Sequence, residues 1–403
     1  MTKTTTTKKV PDLRFPEFEG EWEKKKIKDF TTINPKSESL PHSFIYIDLD
    51  SVKNGILFKN KRISKNDSPS RAQRLLKKND ILFQTVRPYQ KNNLLFKLDK
   101  EDYVASTGYA QIRTSFSSGY LYYFLHTENL LKIVLSRCTG TSYPAINSKD
   151  LGEIKINLPS LPEQQKIADF LTQVDKKIEL LEKKQAALEQ YKKGVMQKIF
   201  NREIRFQIEN EAGERIQPPA WEEKKLGDFI TRKSIRNKNL KVSKVLSVNN
   251  LKGFISQSEQ FDNHRVASKD LSNYKIVDRH DVAFNPSRIN VGSIAILKDF
   301  ERGIVSPMYE VFSLNKNINQ IFFENLIETH FFNHLVKVGC SGSVRDSLNY
   351  EVLEEFKLNF PCIEEQTKIA NFLSALDQKI EAVAERSRSH REWKKGLLQK
   401  MFV

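Results

Sequence analysis

The sequence predicts a mixed α/β protein in which two similar domains are joined by two long antiparallel coiled-coil helices, forming an internal pseudo-twofold repeat. Residues 159–200 recur as residues 361–402 without a gap, and 17 of the 38 positions counted from Glu163 and from Glu365 are identical. Apolar residues in both segments alternate at spacings of four and three, the period of a coiled-coil seam. With 403 residues, 39% hydrophobic and 29% charged, the chain is of globular composition and long enough for two domains.

Four segments follow one another along the chain. They are a first domain at residues 1–160, a central long helix at 161–203, a second domain at 204–362 and a C-terminal long helix at 363–403. Short anchors recur in the two domains at offsets of 199 to 202: WEKKKIKDF and WEEKKLGDF, NDILF and HDVAF, CTGT and CSGS. Between the anchors identity nearly vanishes, so the two domains share a scaffold and differ in content.

Within the domains we expect short strands at Ser43–Leu49 and Val305–Phe312 and helices at Tyr120–Leu135 and Ile321–Val338. The seam of the first long helix is Ile167, Leu171, Val174, Ile178, Leu181, Leu188, Val195 and Ile199, and that of the second is Ile369, Leu373, Leu376, Ile380, Val383, Leu397 and Met401. Polar residues interrupt both seams at equivalent places, Gln185 with Ser387 and Lys192 with Lys394, which either fixes the register or marks local solvent exposure.

The identity between the long helices is confined to their ends. Because a compact domain usually has its termini close together, the helices should pair antiparallel, so that the start of one lies beside the end of the other. Each end then carries the same composite surface, which predicts two docking sites for one partner; the alternative is that these residues pack against the chain's own domains. The predicted docking residues are Gln164, Lys166, Phe170, Lys192, Lys193, Gln366, Lys368, Phe372, Lys394 and Lys395.

The charge distribution predicts a polyanionic partner. The net charge is +16, of which residues 1–160 carry +10, and residues 53–100 alone hold 13 basic and 3 acidic side chains. Lysine and arginine neutralise phosphates, while arginine, asparagine and glutamine read base edges, so this mixture suits DNA. There is no amphipathic basic helix with an aromatic face, as a membrane surface would require. The alternative is a solvated surface.

The predicted DNA-binding residues of the first domain are Lys59, Lys61, Arg62, Lys65, Arg71, Arg74, Lys77, Lys78, Gln84 and Arg87. Those of the second are Arg232, Lys233, Arg236, Lys238, Arg288, Ser341, Ser343 and Arg345. Arg87 and Arg288 follow the shared Asp–Phe anchors, and the serines flank Gly342, the counterpart of Gly140. Those two glycines could equally serve only to shape a turn.

No catalytic constellation is evident in the sequence. It has neither a phosphate loop nor a dinucleotide fingerprint, and Asn285-Pro286-Ser287 lacks most of an amino-methyltransferase motif. His330 and His334 have helical metal-pair spacing without the glutamate that would accompany it, and the surrounding sequence favours a core helix. Cys138 and Cys340 fit buried thiols beside turn glycines better than nucleophiles. Three cysteines and no long apolar run favour the cytoplasm and no membrane span.

Taken together, these motifs resemble those of the DNA-specificity subunit of Type I restriction–modification systems. The motifs are the run from Pro11 to Phe18 leading into WEKKKIKDF, two helix starts of the form LP or FP-x-x-x-EQ-x-KIA-x-FL, and two helix ends of the form KKG-x-x-QK-x-F. The resemblance spans essentially the whole chain.

The resemblance implies that each domain is a target-recognition domain for half of a bipartite, asymmetric double-stranded DNA sequence. It also implies two copies of an adenine-methyltransferase subunit docked on the helices and up to two restriction motor subunits. S-adenosylmethionine, ATP and Mg²⁺ would be bound by those partners and no cofactor by this chain. Two other hypotheses stay open: a decoy that sequesters methyltransferase, and a structural coiled-coil protein with nonspecific nucleic-acid affinity.

Overall fold

A computed structural model of the chain describes residues 10–37, 39–250, 252–257, 270–340 and 347–403. The chain forms two compact units: unit 1 consists of Met1–Lys183 together with Val383–Val403, and unit 2 of Lys184–Ala382. Each unit therefore combines one domain with the start of one long helix and the end of the other.

The elements of the first half lead into the central helix. Its strands are β1 (Glu23–Lys26), β2 (Thr31–Ile33), β3 (Ser43–Ile47), β4 (Val52–Lys53), β5 (Ile56–Leu57), β6 (Arg62–Ser64), β7 (Ala72–Leu75), β8 (Ile81–Gln84), β9 (Leu94–Leu95), β10 (Tyr103–Ser106), β11 (Tyr109–Thr114) and β12 (Lys155–Leu158). Its helices are α1 (Ser118–Phe124), α2 (Glu128–Leu135), α3 (Ser148–Gly152) and the 40-residue α4 (Leu161–Phe200).

The second half repeats this layout. Its strands are β13 (Ile208–Glu209), β14 (Arg215–Ile216), β15 (Glu222–Lys225), β16 (Ile230–Lys233), β17 (Leu246–Asn249), β18 (Gly253–Ser256), β19 (Lys275–Asp278), β20 (Val282–Phe284), β21 (Ile294–Ile296), β22 (Arg302–Val305), β23 (Glu310–Leu314) and β24 (Lys357–Phe360). The helices are α5 (Gln320–Ile327), α6 (His330–Gly339), α7 (Tyr350–Glu354) and the 38-residue α8 (Ile363–Lys400).

In both units the scaffold near the helices has the same topology. Strands β1 and β12 pair antiparallel in unit 1, as β15 and β24 do in unit 2. The antiparallel sheet β2-β11-β8-β9 matches β16-β23-β20-β21. The duplication seen in the anchor motifs therefore extends to strand order, although most residues between the anchors differ.

The outer part of each domain has the same strand order, but its central pairing is shorter in unit 2. Unit 1 has a four-stranded sheet, β6-β3-β10-β7, in which β3 and β10 are parallel. In unit 2 the ribbons β17 with β18 and β19 with β22 are joined by an isolated parallel bridge between Val245 and Ile304, which gives the order β18-β17-β22-β19. A tight hairpin joins β4 to β5 through Asn54 and Gly55, both at positive φ, the conformation that an Asn-Gly turn supplies at low cost.

The long helices pair antiparallel within each unit, which confirms the predicted fold class. In unit 1, Asp175 near the start of α4 forms an ion pair of 2.6 Å with Lys394 near the end of α8. In unit 2, Lys192 near the end of α4 contacts Asp377 near the start of α8 at 2.7 Å. Apolar seam residues of both helices join the core of the domain beside them.

Two details of the predicted elements are wrong. Each helix expected at Tyr120–Leu135 and Ile321–Val338 is two helices, because Thr127 and Thr329 cap a new start with their side-chain oxygens. The strand expected at Val305–Phe312 is interrupted between β22 and β23, where Pro307 occupies the turn. No helix in the described ranges is long and apolar enough to cross a membrane.

Candidate nucleic-acid interface

Unit 1 carries a group of exposed cations that we call the basic edge: Lys59, Lys61, Lys65, Arg71 and Lys77. They lie on the approach to β6 and on the connection that leads from β6 through β7 to β8. Within the described residues, none of the five has a carboxylate partner. They flank β6 and β7, the two outer strands of the sheet β6-β3-β10-β7. Exposed cations without a carboxylate partner are suited to phosphate contacts, which position DNA without reading its sequence.

The other basic residues of the same stretch are partly engaged. Arg62 forms an ion pair with Asp102, and Lys78 lies 3.2 Å from Asp99. The Arg74 side chain is half-buried on β7, its Nε has no hydrogen-bond partner in the described part of the chain, and burial lowers its pKa. These three residues therefore offer less free charge than the basic edge does.

Gln84, predicted to contact DNA, is buried, and its side chain is engaged within its own loop. Its side-chain amide donates to the Val86 carbonyl and to Oε1 of Gln90, and its oxygen accepts the Asn92 N–H. The Gln84 backbone N–H donates in turn to Asn93 at 2.9 Å. The glutamine therefore holds the loop 85–93 in shape from within.

That loop presents Arg87, the first predicted anchor. Arg87 has a φ of 55°, a left-handed conformation that non-glycine residues seldom adopt and that concentrates at functional sites. Its guanidinium stacks over the ring of exposed Tyr143 at 4.2 Å, and its backbone N–H donates to the Pro144 carbonyl. Gly140 forms the neighbouring turn at a φ of 87°. The structure thus brings Arg87 and the Gly140 turn together.

Two residues of the basic cluster predicted in unit 2 form ion pairs. Arg232 contacts Glu310 and Glu351 at 3.0 and 2.6 Å, and Lys233 contacts the buried Asp281 at 2.7 Å. Their charges are therefore paired with carboxylates in this structure, and their binding to DNA stays a prediction. Arg236 donates to Asn273 at 3.2 Å, whereas Lys238 is exposed.

Arg288, the second anchor, lies instead on a polar cleft of about 210 Å³ in unit 2. The cleft lies among β17, the turn that follows β20 and the turn that precedes β23. Its lining includes Ser247, Asn249, Asn250, Gln257, Asn285, Ser293 and Ser306. Three further predicted residues, Ser341, Ser343 and Arg345, lie outside the described residues, as does Gly342.

Two of the predicted docking residues are buried inside their own unit. The side chain of Gln164 accepts the N–H of Ser117 at 3.4 Å and donates to Pro159 at 2.9 Å. Gln366 does the same in unit 2, where it accepts the Asn319 N–H at 2.9 Å. These amides fasten each helix start to its domain, which favours the alternative that they pack against the chain's own domains.

The other eight docking candidates divide into three groups. Lys192 and Lys394 bind aspartates of the opposite helix, as described above. Lys166 and Lys368 pair with Glu17 and Glu209, while Phe170 and Phe372 pack on Phe15 and Phe206 with ring centroids 5.7 and 5.4 Å apart. Lys193 and Lys395 are exposed at equivalent positions, with no carboxylate within ion-pair distance among the described residues.

Sequence reasoning missed a buried carboxylate clamp that occurs in both units. Glu163, 1% exposed, accepts two hydrogen bonds of 2.8 Å from Arg14 and one of 3.3 Å from Trp22. Glu365 likewise binds Arg205 and Trp221. The sequence contains a signal for this clamp. An Arg-Phe pair precedes each repeated tryptophan, and an identical glutamate stands at both helix starts.

The cysteines and histidines considered as catalytic or metal-binding residues have surroundings that do not favour such a role. Cys340 is buried and Cys138 half-buried, and burial raises the pKa of the Cys138 thiol, which disfavours the reactive thiolate. His330 and His334 are exposed, with parallel rings 6.2 Å apart, on an amphipathic helix rather than the core helix expected. No group of three or more potential metal ligands occurs within the described ranges.

Comparisons with known families, sequences and solved structures all identify proteins of Type I restriction–modification systems as similar to this chain. The model of the Type I restriction modification DNA specificity domain matches residues 19–190 and 218–388. The MjaVIII specificity subunit of Methanocaldococcus jannaschii is 27% identical over 412 residues, covering 94% of this chain and 91% of that protein. The solved S subunit of a Type I system from M. genitalium matches with a TM-score of 0.57 and 17% identity, over 98% of this chain and 99% of that one. A chain from a study of type I R-M complex assembly and conformational transition matches with the same score at 19% identity, over 94% and 97%.

Proposed function

Because the chain belongs to the Type I restriction–modification DNA specificity family, it is a DNA-target recognition subunit, and we propose that it directs adenine methylation and restriction to an asymmetric bipartite target. The observation that carries this proposal is the duplicated scaffold with unlike surfaces: a basic edge with Arg87 in unit 1, and a polar cleft with Arg288 in unit 2. Two related domains with different surface chemistry are suited to two different half-sites.

The proposed partners are two copies of a methyltransferase subunit and up to two restriction motor subunits. These partners would bind S-adenosylmethionine, ATP and Mg²⁺, and this chain would be non-catalytic and act on DNA in the cytoplasm. Each unit has its own helix-borne surface in support: Trp393 and Lys395 are exposed in unit 1, and Tyr191 and Lys193 occupy the equivalent exposed positions in unit 2. Exposed aromatic residues beside a cation are typical of interface anchors.

A stoichiometry measurement tests the two docking surfaces. Native mass spectrometry of the purified complex should show two methyltransferase copies per chain. Trp393→Ala and Tyr191→Ala should each reduce this to one, and the double variant to none. The exposed Leu240→Ala, which lies away from the helices, is the control and should keep two copies. An unchanged stoichiometry in the double variant would place the docking surface elsewhere.

A genome-wide map of methylated adenines, with and without this gene, tests the function itself. We expect one bipartite motif with an unspecified gap to disappear when the gene is deleted. If no motif changes although the methyltransferase is expressed, the chain does not direct methylation. Co-purification of the methyltransferase would then identify a decoy, and its absence would favour a structural protein.

A further inference from the structure

The two units differ in how much free positive charge they offer to DNA. The sequence of the first domain, residues 1–160, has a net charge of +10, and residues 201–362 have +2. In unit 2 Arg232 and Lys233 are bound to Glu310 and Asp281. The rest of the basic cluster of unit 2 is exposed and has no carboxylate partner among the described residues: Arg236, Lys238, Lys241 and Lys244. In unit 1 the five residues of the basic edge have no such partners in the described part of the chain. Because the first domain has the larger net charge, unit 1 should contribute the larger share of phosphate neutralisation.

The polar cleft of unit 2 has a different chemistry. The Asn285 oxygen accepts the Ser287 N–H at 3.1 Å and so shapes the turn, but its amide nitrogen has no partner among the described residues. The side chains of Gln257 and Arg288 likewise form no hydrogen bond or ion pair within the described ranges. All three line the cleft, so donors and acceptors able to read bases face one opening.

Apolar side chains complete the composition of this surface. Met308, 65% exposed, lines the cleft together with Val291, 53% exposed. The major groove presents adenine N6 and N7 to amides, guanine O6 and N7 to arginine, and the thymine methyl group to apolar side chains. Amides, one guanidinium and two exposed apolar groups together match this set, and they include no lysine.

The internal repeat supplies a comparison between equivalent positions. Asn285 in unit 2 corresponds to Gln84 in unit 1, since both follow the shared Asp–Phe anchor directly. Gln84 uses its amide inside its own loop, whereas Asn285 has an amide nitrogen left over at the cleft. The same scaffold position thus serves loop structure in one unit and is available for recognition in the other.

We propose that unit 2 reads its half of the target in the major groove with Asn285, Gln257 and Arg288, while the basic edge of unit 1 supplies most of the salt-dependent affinity. This deepens the proposed function and rests on it. Each unit still reads its own half-site, and the larger share of the electrostatic affinity is thereby assigned to unit 1. In unit 2 the amides would then pair bidentately with adenine and the guanidinium with guanine.

The test uses the complex with methyltransferase and combines methylation mapping with DNA affinity measured against salt concentration. There are three cleft variants. Asn285→Ser keeps a hydrogen-bond acceptor for the turn, and Gln257→Met removes the amide. Arg288→Lys keeps the positive charge and removes the guanidinium that can form two parallel hydrogen bonds. Each should change one and the same half of the methylated motif and weaken binding of the native site by roughly 5- to 150-fold. The slope of log affinity against log salt should stay as in wild type.

The basic-edge variant replaces Lys59, Lys61 and Lys65 with glutamine. It should leave the motif intact and reduce the salt slope by roughly 0.9 for each phosphate that the variant no longer neutralises. Asn317→Ser, an exposed amide of unit 2 outside the cleft, is the matched control and should change neither quantity.

The inference is overturned if the cleft variants leave both halves of the motif unchanged, or if they reduce the salt slope as much as the basic-edge variant does. Failure of the proposed function looks different, because the wild-type complex would then methylate no bipartite motif. Gln257 and Arg288 make no side-chain bonds in the described part of unit 2. Their variants therefore give a clear answer even if Asn285→Ser lowers the thermal stability.

Discussion

Replacing Arg14 with methionine should destabilise unit 1 by about 3 kcal/mol. The Glu163 carboxylate is 1% exposed and receives two of its three side-chain hydrogen bonds from this arginine. Removing one partner of a buried ion pair typically costs about 3–5 kcal/mol, because the remaining charge is left without compensation. Since 17% of the Arg14 side chain is exposed, water can reach the vacated space, which favours the lower end of that range.

Urea unfolding of the subunit measures this cost, and hydrogen exchange of the β1 and β12 amides assigns it to unit 1. Glu163→Gln should cost less, about 1–2 kcal/mol, because the amide oxygen still accepts from Trp22 and the stranded arginine lies nearer to water. The exposed Arg215→Met is the matched control, with an expected change under about 0.5 kcal/mol. If Arg14→Met costs no more than Arg215→Met, the clamp does not hold the helix start to the domain.

Three further predictions concern stability. Gly55→Ala should cost about 2 kcal/mol or more by urea unfolding, because a Cβ would lie 2.2 Å from the Tyr122 hydroxyl at a φ of +79°; Gly20→Ala, at the same φ with open space around it, should cost clearly less. Burial lowers the pKa of His126 from 6.5 to about 4, so the unfolded state binds more protons between these values. The His126 contribution to the free energy of unfolding should therefore fall as the pH drops through that window, by up to about 3 kcal/mol, and the total fall should be smaller by that amount in His126→Gln. Ser387→Ala should raise the melting temperature by about 2–4 °C, because it removes a buried hydroxyl that has no partner in the described structure; a lower melting temperature would show that the hydroxyl is satisfied.

The scaffold could be predicted because the repeat of the long helices and the period of their apolar residues can both be read directly from the sequence. The helices α4 and α8 begin at or near the predicted positions, since an apolar seam and a gap-free repeat leave little freedom. The break at Thr127 was not foreseen. A capping threonine inside an otherwise helical pattern starts a new helix only where tertiary packing makes the chain turn.

The site residues were less predictable because a charge in a sequence carries no information about its partner. Arg232 and Lys233 look as basic as Lys59 and Lys61, yet only the former face carboxylates, which come from distant parts of the chain. The identity of Lys192 with Lys394 suggested a partner protein, whereas their aspartate partners lie on the opposite helix of the same chain. Pairing across about 200 residues is a tertiary fact that a local pattern does not contain.

The composition of unit 1 from both ends of the chain has a consequence for synthesis on the ribosome. Unit 2 is one continuous stretch and can fold when α8 begins to emerge, but unit 1 needs Phe402, whose ring lies 5.2 Å from that of Tyr120, and Lys400, whose carbonyl accepts the Leu13 N–H. At roughly 5–20 residues per second, the first domain waits about 10–40 s for its last helix. The domain that is synthesised first is therefore completed last. Premature termination near residue 380 would leave an apolar face of unit 1 uncovered, to which a chaperone or protease can bind.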